Sequence, residues 1–169
     1  MEPLQDKHVL LGVSGSIAAF KACELARQLV AEGASVRVAP TRSATRFVTP
    51  LTFEALTGRP CLTDVLEMDD GRIPHVEQAY EADLAIVAPA SANVLAKMAH
   101  GMADEALLAT LLSVRAPLVV APAMETRMWQ HPATQENVEL LRSRGAILVD
   151  PDDGKLASGR SGEGRLASL

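Results

Sequence analysis

The amino-acid sequence predicts a three-layer α/β domain in which a doubly wound parallel sheet carries helices on both faces. First, short apolar runs recur along the chain and alternate with segments of helical periodicity. Second, the earliest of these runs leads through a glycine-containing turn into a helical segment and a further apolar run, a βαβ unit that requires parallel strands. Third, a length of 169 residues suffices for one sizeable core, so we expect a single domain over residues 1–169.

The first βαβ unit begins with an apolar strand at His8–Val13, which ends in the glycine turn. A helix over residues 17–31 follows, and Gly33 stops it at the position past a helix end where glycine is favoured. The next strand covers residues 35–39. Apolar side chains at helical spacing predict the buried face of the helix, formed by Ile17, Phe20, Leu25, Leu29 and Val30.

The rest of the chain continues this alternation. The predicted elements are helices at 50–56 and 75–80, a strand at 84–88, helices at about 92–98 and from near 104, a strand at 118–121, a helix at 134–144 and a strand at 146–149. The tail, residues 151–169, is rich in glycine and is predicted to be a mobile flap rather than a packed element. This pattern is typical of Rossmann-like and flavodoxin-like folds.

Composition and charge exclude several classes of function. A net charge of −5 argues against nonspecific nucleic-acid binding, which needs a basic face. Because no apolar run has the length of a membrane span and the N-terminus lacks the pattern of a secretory signal, we expect a cytoplasmic protein without membrane contact. Cys23 and Cys61 have no metal-ligand or redox spacing, so we expect reduced packing residues and no metal site.

Two loops that follow predicted strands indicate a phosphate site. In Gly12-x-Ser14-Gly15-Ser16, glycine allows close approach of a ligand, and the helix N-terminus behind it offers free N–H groups. A tight turn with an N-cap serine explains this loop equally well. Hydroxyls and a guanidinium in Thr41-Arg42-Ser43-Ala44-Thr45 follow the second strand and, taken with the first loop, favour a mononucleotide site over a capped helix start.

Two further loops carry polar or soft side chains at the same edge of the predicted sheet. Ser91 and Asn93 suit the polar edge of a heterocycle or a sugar-like chain, and helix capping is an equally good explanation. The segment from Pro122 to Trp129 follows a buried strand, and its thioethers and indole either cover a flat apolar ligand or cap the core. His75 is the best acid–base candidate, although most lone histidines are structural or solvated.

Several motifs together resemble one family, the flavin-dependent cysteine decarboxylases, and most closely its coenzyme A branch. The motifs are Gly15-Ser16-Ile17-Ala18, Thr41-Arg42-Ser43-Ala44, His75, Pro89-Ala90-Ser91-Ala92-Asn93, Gly101-Met102-Ala103-Asp104 and Pro122-x-Met124-x-x-x-Met128-Trp129. Each is weak by itself, and their ordered occurrence is specific. The resemblance covers the chain from about His8 to Leu166.

The resemblance implies a bound FMN and a homo-oligomer built from trimers, either a trimer or a dodecamer. It implies that the cofactor is bound by Gly15, Ser16, Ile17, Thr41, Ser43, Thr45, Phe47, Ala90, Ser91, Ala92, Asn93, Met102, Ala103 and Asp104. It implies that the substrate is held by Met124, Glu125, Met128 and Trp129, with His75 and Ser158 at the catalytic positions. The flap over residues 151–169 would close over the substrate.

The implied reaction converts 4′-phosphopantothenoylcysteine to 4′-phosphopantetheine through a thioaldehyde and an enethiol, and FMN supplies the redox chemistry. A phosphopantothenate–cysteine ligase is the implied fusion or functional partner. Glu125 stands where the family motif has Asn, and Ser158 where many members have a Cys linked to the final reduction. Two alternatives therefore stay open, a peptidyl-cysteine decarboxylase that stops at the enethiol and an inactive FMN-binding regulatory subunit.

Overall fold

The computed structural model describes residues 4–65 and 71–168, which form a five-stranded parallel sheet. Its strands are β1 (His8–Val13), β2 (Ser35–Pro40), β3 (Leu84–Ala90), β4 (Leu118–Pro122) and β5 (Ile147–Leu148). The spatial order is β2-β1-β3-β4-β5, and every neighbouring pair is parallel. The predicted doubly wound sheet is confirmed, and the direction of winding switches between β1 and β3.

Helices cover both faces of this sheet. They are α1 (Ala19–Ala31), α2 (Pro50–Thr57), α3 (Pro74–Glu81), α4 (Ala92–Ala99), α5 (Ala106–Ser113), α6 (Thr126–Trp129) and α7 (Pro132–Ser143). Successive residues of β1 alternate between the two faces, so Val9 and Leu11 pack with α1 and α2, whereas Leu10 packs with Leu107 of α5. Side chains of α4 and α7 pack with β3 and β4, which completes the three predicted layers.

The buried face of α1 differs from the predicted one. Its buried residues are Ala19, Ala22, Ala26 and Leu29. Ile17 and Phe20 are instead 57% and 61% exposed, and Val30 is also exposed. The prediction holds for Leu29 and Leu25, which pack on the core. It was wrong for Ile17, Phe20 and Val30, because small alanines let the helix approach the sheet closely and leave these larger side chains outside.

Several element boundaries also shift. β3 continues to Ala90 and β4 to Pro122, two residues that pair with each other after an irregularity in the register. Pro89 and Pro122 are tolerated because they lie at the ends of these strands. The predicted helix near Asp104 begins at Ala106, since the backbone of Glu105 is still extended. Gly33 has a φ of 89° just beyond α1, which confirms the predicted stop.

The tail forms a hairpin instead of lying unpacked. β6 (Asp152–Lys155) and β7 (Ser161–Arg165) pair antiparallel. The N–H of Met124 donates to the carbonyl of Gly164 at 2.9 Å, and a Cβ on Gly164 would collide with the carbonyl oxygen of Met124. Because Leu166 is also buried in the core, the expectation of an unpacked tail was wrong. Movement of this hairpin stays a prediction.

None of the helices in the described parts of the chain has the length and apolar character needed to cross a membrane.

Candidate active site

A buried serine joins the carboxyl ends of two neighbouring strands. Ser14 follows β1, and its hydroxyl donates to the carbonyl of Pro89 in β3 at 2.7 Å. The same oxygen accepts the N–H of Ser91 at 2.8 Å. Ser14 is fully buried, so these bonds fix the first loop against the start of α4 at the point where the sheet reverses its winding direction.

The loop after β1 presents free backbone donors. Within residues 4–65 and 71–168, no oxygen accepts the N–H groups of Gly15, Ser16 or Ile17, whereas the N–H of Ala18 donates to the hydroxyl of Ser16 at 3.2 Å. A Cβ on Gly15 would lie 2.5 Å from the hydroxyl oxygen of Ser43, so the two phosphate-type loops meet here. Three unsatisfied donors in front of α1 fit the phosphate of a mononucleotide such as FMN.

In the loop after β2, some side chains form hydrogen bonds within the loop and others are exposed. Thr41 is buried, and its hydroxyl accepts the N–H of Ala44 at 3.2 Å and lies 3.2 Å from the hydroxyl of Ser43. The hydroxyl of Thr45 donates to the carbonyl of Arg42 at 2.8 Å. These bonds stabilise the turn that leads into the short 3₁₀ helix at Ala44–Arg46, whose N-cap residue, Ser43, is exposed.

A cavity of about 420 Å³ lies between the first loop, the end of β3, the segment after β4 and the hairpin. It is lined by Gly15, Ser16, Ile17, Ala18, Phe20, Lys21, Ser91, Ala123, Met124, Glu125, Met128, Lys155, Leu156, Ala157, Ser158, Gly164, Arg165 and Leu166. The walls are mainly apolar, with a few polar groups that converge on the interior, as is usual for ligand sites. Of the predicted site residues, this cavity brings together Gly15, Ser16, Ile17, Ser91, Met124, Glu125, Met128 and Ser158, and the others lie elsewhere.

The segment after β4 contributes side chains both to the cavity lining and to the core. Met124 and Met128 line the cavity, and Met128 is half exposed. Trp129 is only 5% exposed and packs in the core with Val94 and Val138. Its indole does not line the cavity, so the expected role of Trp129 in holding the substrate was wrong and its side chain belongs to the core, whereas a role of the two methionines in binding a ligand stays a prediction.

Glu125 is held by its own helix and by the hairpin. It is the N-cap of α6, where one carboxylate oxygen accepts the N–H of Arg127 at 2.7 Å. The other oxygen lies 3.7 Å from the guanidinium of Arg160 in the hairpin turn. Both charges of this pair are thereby balanced, and Glu125 faces the cavity as a paired rather than a free carboxylate.

A second group of predicted cofactor residues lies in an adjoining depression. Asp104 forms an ion pair of 2.6 Å with Lys97 of α4, and that hydrogen bond lowers the pKa of the Asp104 carboxyl. Ser43 lines the same depression. Phe47 and Met102 are about half exposed, at 52% and 48%, respectively. Of the remaining predicted residues, Asn93 and Ala103 are exposed, Ala92 is partly buried and Ala90 is fully buried.

His75 lies apart from the main cavity. It is the second residue of α3, and it does not line the cavity of the same chain. Its Nδ1 is buried, and no atom of the residues that the structure describes forms a hydrogen bond with it. The structure thus shows an unsatisfied imidazole nitrogen without placing it beside Ser158.

Several residues that line the cavity are not among the predicted cofactor, substrate and catalytic residues, and Phe20, Lys21, Lys155 and Arg165 are the larger polar or aromatic ones. Phe20 and Lys21 belong to the first turn of α1 and line the cavity together with Ile17, which lies just before that helix. Lys155 and Arg165 belong to the hairpin. The helical spacing from Ile17 was a usable signal, but the predicted burial of Phe20 concealed it. Lys155 and Arg165 lie in the segment 151–169, which the resemblance implies would close over the substrate, although neither residue was singled out.

Comparisons with known proteins identify the family of the chain. A family model described as flavoprotein matches residues 1–169. The coenzyme A biosynthesis bifunctional protein CoaBC of Mycobacterium tuberculosis is 54% identical over 95% of the chain, and the chain spans 38% of that relative's length. The solved structure of a PPC decarboxylase variant with pantothenoylaminoethenethiol has a TM-score of 0.87 and 33% identity, covering 97% of this chain and 92% of the other.

A further solved relative is the FMN-dependent cysteine decarboxylase SpaF, with a TM-score of 0.83 and 36% identity over 94% of this chain and 89% of its own. These matches confirm the resemblance inferred from the ordered motifs, and with it a flavin as the cofactor. The chain belongs to the flavoprotein family, and within it to the flavin-dependent cysteine decarboxylases.

Proposed function

We propose that the protein is an FMN-dependent enzyme that decarboxylates 4′-phosphopantothenoylcysteine to 4′-phosphopantetheine in coenzyme A synthesis. The observation that carries the proposal is the single cavity in which free backbone donors of the first loop face the methionines after β4 and the hairpin. The high similarity to bifunctional coenzyme A proteins supports this substrate over other cysteine derivatives.

The residues present fit FMN. The N–H groups of Gly15, Ser16 and Ile17 would hold its phosphate, and Ser91 would contact the polar part of the cofactor. When bound, FMN supplies reversible two-electron oxidation of the cysteine side chain. The apolar walls exclude water and hold the substrate chain, with Met124 and Met128 adapting to its shape.

Assembly into trimers, or into a dodecamer of trimers, is part of the proposal. His75 and the main cavity are separate within one chain, and Phe47 and Met102 leave apolar surface in water. A neighbouring subunit would cover this surface and could bring an imidazole to the cavity. Light scattering of the purified protein tests the assembly, and a monomer with full activity would contradict it.

The activity itself is tested with purified protein. We expect a yellow protein that releases carbon dioxide from 4′-phosphopantothenoylcysteine, and a product mass equal to that of 4′-phosphopantetheine. A colourless protein that FMN does not reconstitute would overturn the proposal. FMN binding without turnover of any cysteine substrate would instead indicate the inactive regulatory subunit.

His75 is proposed to act as the base of the first half of the reaction. His75→Asn should retain FMN and lose decarboxylation. His131→Asn is a matched control, because His131 caps α7 through its Nδ1 and asparagine is an equally good N-cap. Turnover by His75→Asn at the rate of the control would exclude the base role.

Ser158 supports one alternative product. It lines the cavity at the position where many family members have a Cys, and its hydroxyl is a far weaker acid than a thiol. A poor proton donor would favour release of the enethiol, as in a peptidyl-cysteine decarboxylase that stops at that stage. The two products differ by two hydrogens in mass. Ser158→Cys should shift the ratio towards the reduced product, and an unchanged ratio would exclude this role.

A cytoplasmic location and a functional link to phosphopantothenate–cysteine ligase complete the proposal. The link is supported by the bifunctional nature of the coenzyme A relatives. To test the link, the protein is purified from its native host, and the preparation is assayed for ligase activity as cysteine-dependent formation of 4′-phosphopantothenoylcysteine. Ligase activity that copurifies with the decarboxylase activity would support the link.

A further inference from the structure

One face of α3 carries two polar side chains, those of His75 and Gln78. The residues are three positions apart, a spacing that places side chains next to each other on a helix with Cβ atoms about 5–6 Å apart. Gln78 is only 1% exposed. Among the residues that the structure describes, none forms a hydrogen bond with Oε1 of Gln78 or with Nδ1 of His75, and both atoms are buried.

The helix that packs on α3 offers no charged partner to either side chain. α3 packs against α5, and the segment Ala106–Ser113 contains no ionisable residue. The ionisable side chains close to His75 along its own segment are those of Arg72, Glu77, Tyr80 and Glu81, and all four residues are exposed. The buried amide of Gln78 is therefore the polar group that shares the inward side of α3 with the imidazole.

A buried amide without a partner destabilises a fold, since it loses its hydrogen bonds to water and gains none in return. A leucine at position 78 would fill a similar space without a polar group. Nδ1 of His75 is the neighbouring atom in the same situation. Rotation of the amide about its soft terminal torsion, or one buried water between the two groups, would satisfy both atoms.

The two nitrogens of His75 have different surroundings. Nδ1 is buried, whereas Nε2 forms no hydrogen bond with the described residues and is accessible. A neutral imidazole carries its proton on one nitrogen and is a base at the other. For the accessible Nε2 to act as a base, the proton must reside on the buried Nδ1.

We propose that Gln78 is a positioning residue for His75. Its Oε1 accepts the Nδ1–H of the imidazole, directly or through one water, and thereby keeps Nε2 unprotonated and directed outwards. This inference rests on the proposed function, since it concerns the base of that reaction. The proton that Nε2 takes from the substrate converts His75 to the imidazolium, whose Nδ1–H still has its acceptor.

Gln78→Leu tests this role in the FMN-loaded enzyme. The value of kcat for decarboxylation should fall about tenfold, the size of one hydrogen bond, and KM should stay unchanged. The free energy of unfolding should not fall, because leucine suits the apolar surroundings. An unchanged kcat together with lower stability would show a merely structural amide and would overturn the proposal.

Gln135→Leu is the matched control. Gln135 is a half-buried glutamine of α7 whose side chain donates to the carbonyl of Trp129 at 2.6 Å, and it does not line the main cavity. This variant should lose stability and keep kcat, the reverse of the result expected for Gln78→Leu. Equal kcat values in the two variants would refute the positioning role.

A spectroscopic measurement separates this inference from the proposed activity. Magic-angle-spinning NMR of the FMN-loaded protein with 15N-labelled histidine, recorded above neutral pH, reports which imidazole nitrogen carries the proton. Comparison with His75→Asn identifies the signals of His75 among the four histidines. We expect the Nδ1–H form in the unmodified protein and a shift towards the Nε2–H form in Gln78→Leu.

The Nε2–H form of His75 in the unmodified protein would overturn the inference. If the protein decarboxylates no cysteine substrate and yet shows a Gln78-dependent Nδ1–H form, the proposed function fails and the positioning role stands.

Discussion

The inner and outer parts of the site differ in how completely one chain builds them. The inner part, around the 420 Å³ cavity, is enclosed by loops that hydrogen bonds of Ser14 and Gly164 join to one another. The outer part, around Asp104, has charged pairs at the surface and the half-exposed side chains of Phe47 and Met102. One chain thus encloses the inner cavity with its own loops and leaves the outer region open, an arrangement that agrees with the proposed assembly.

The largest expected effect comes from the contact of the two phosphate-type loops. In Gly15→Ala the new methyl group would overlap Ser43, so the loops must separate, and FMN affinity should fall more than about tenfold. Fluorescence titration of the apoprotein measures this. Gly58→Ala is the control, because Gly58 has a φ of 67° and open space around it. The control should lose about 1 kcal/mol of stability and keep FMN.

Substitutions in the hairpin should weaken binding of the substrate more than binding of FMN. Gly164→Ala would place a methyl group against the carbonyl of Met124 and lift β7 from the cavity, so we expect KM to rise about tenfold while FMN stays bound. Gly159→Ala changes a glycine with a φ of 81° at the hairpin tip, where no atom is close. Equal KM values for the two variants would show that docking of the hairpin does not shape the cavity.

The hydrogen bonds by which Ser14 links β1 to β3 are expected to contribute to the free energy of unfolding. Ser14→Ala removes a buried hydroxyl and leaves the carbonyl of Pro89 and the N–H of Ser91 with one partner fewer. The free energy of unfolding should fall by about 2 kcal/mol, measured by urea denaturation. Ser43→Ala, at an exposed hydroxyl, should change it by less than about 0.5 kcal/mol.

The Cys61 thiol should make the stability of the folded protein depend on pH. Burial raises the pKa of the Cys61 thiol from 9.0 to about 12, and the charge of Glu54 adds to the rise. The folded state therefore keeps a proton that the unfolded state loses above pH 9, so this contribution to stability is present below pH 9 and declines towards pH 12. Cys61→Ala lacks this contribution, so the difference in melting temperature between the protein and this variant should be constant below pH 9 and should shift against the protein as the pH rises towards 12; parallel curves over that range would contradict the assignment.

The smallest effect is expected at Glu125. Asparagine is as good an N-cap as a carboxylate, and an exposed ion pair contributes little, so Glu125→Asn should change the free energy of unfolding by less than about 0.5 kcal/mol. Arg160→Gln removes the other half of the pair and should behave alike. A loss well above 1 kcal/mol in either variant would show that the pair holds the hairpin in place.

The sequence predicted the parallel sheet because strand periodicity and the glycine turn before Ile17 are local signals. It did not predict the packing of the tail, since the pairing of Met124 with Gly164 joins segments 40 residues apart. It also misplaced Phe20, because whether an apolar side chain faces the core or a cavity depends on neighbours that α1 meets only in the folded chain. Polar loops after strands were predictable, and the lysines that complete the cavity were not.

Trp129 gives the protein a built-in optical reporter. It is the only tryptophan of the chain, it is almost completely buried, and the neighbouring residue Met128 lines the cavity. Flavins absorb light in the region where a buried indole emits. Occupancy of the cavity by a flavin should therefore quench a single, unambiguous emission band, so loading and unfolding can both be followed in the native protein without an attached dye.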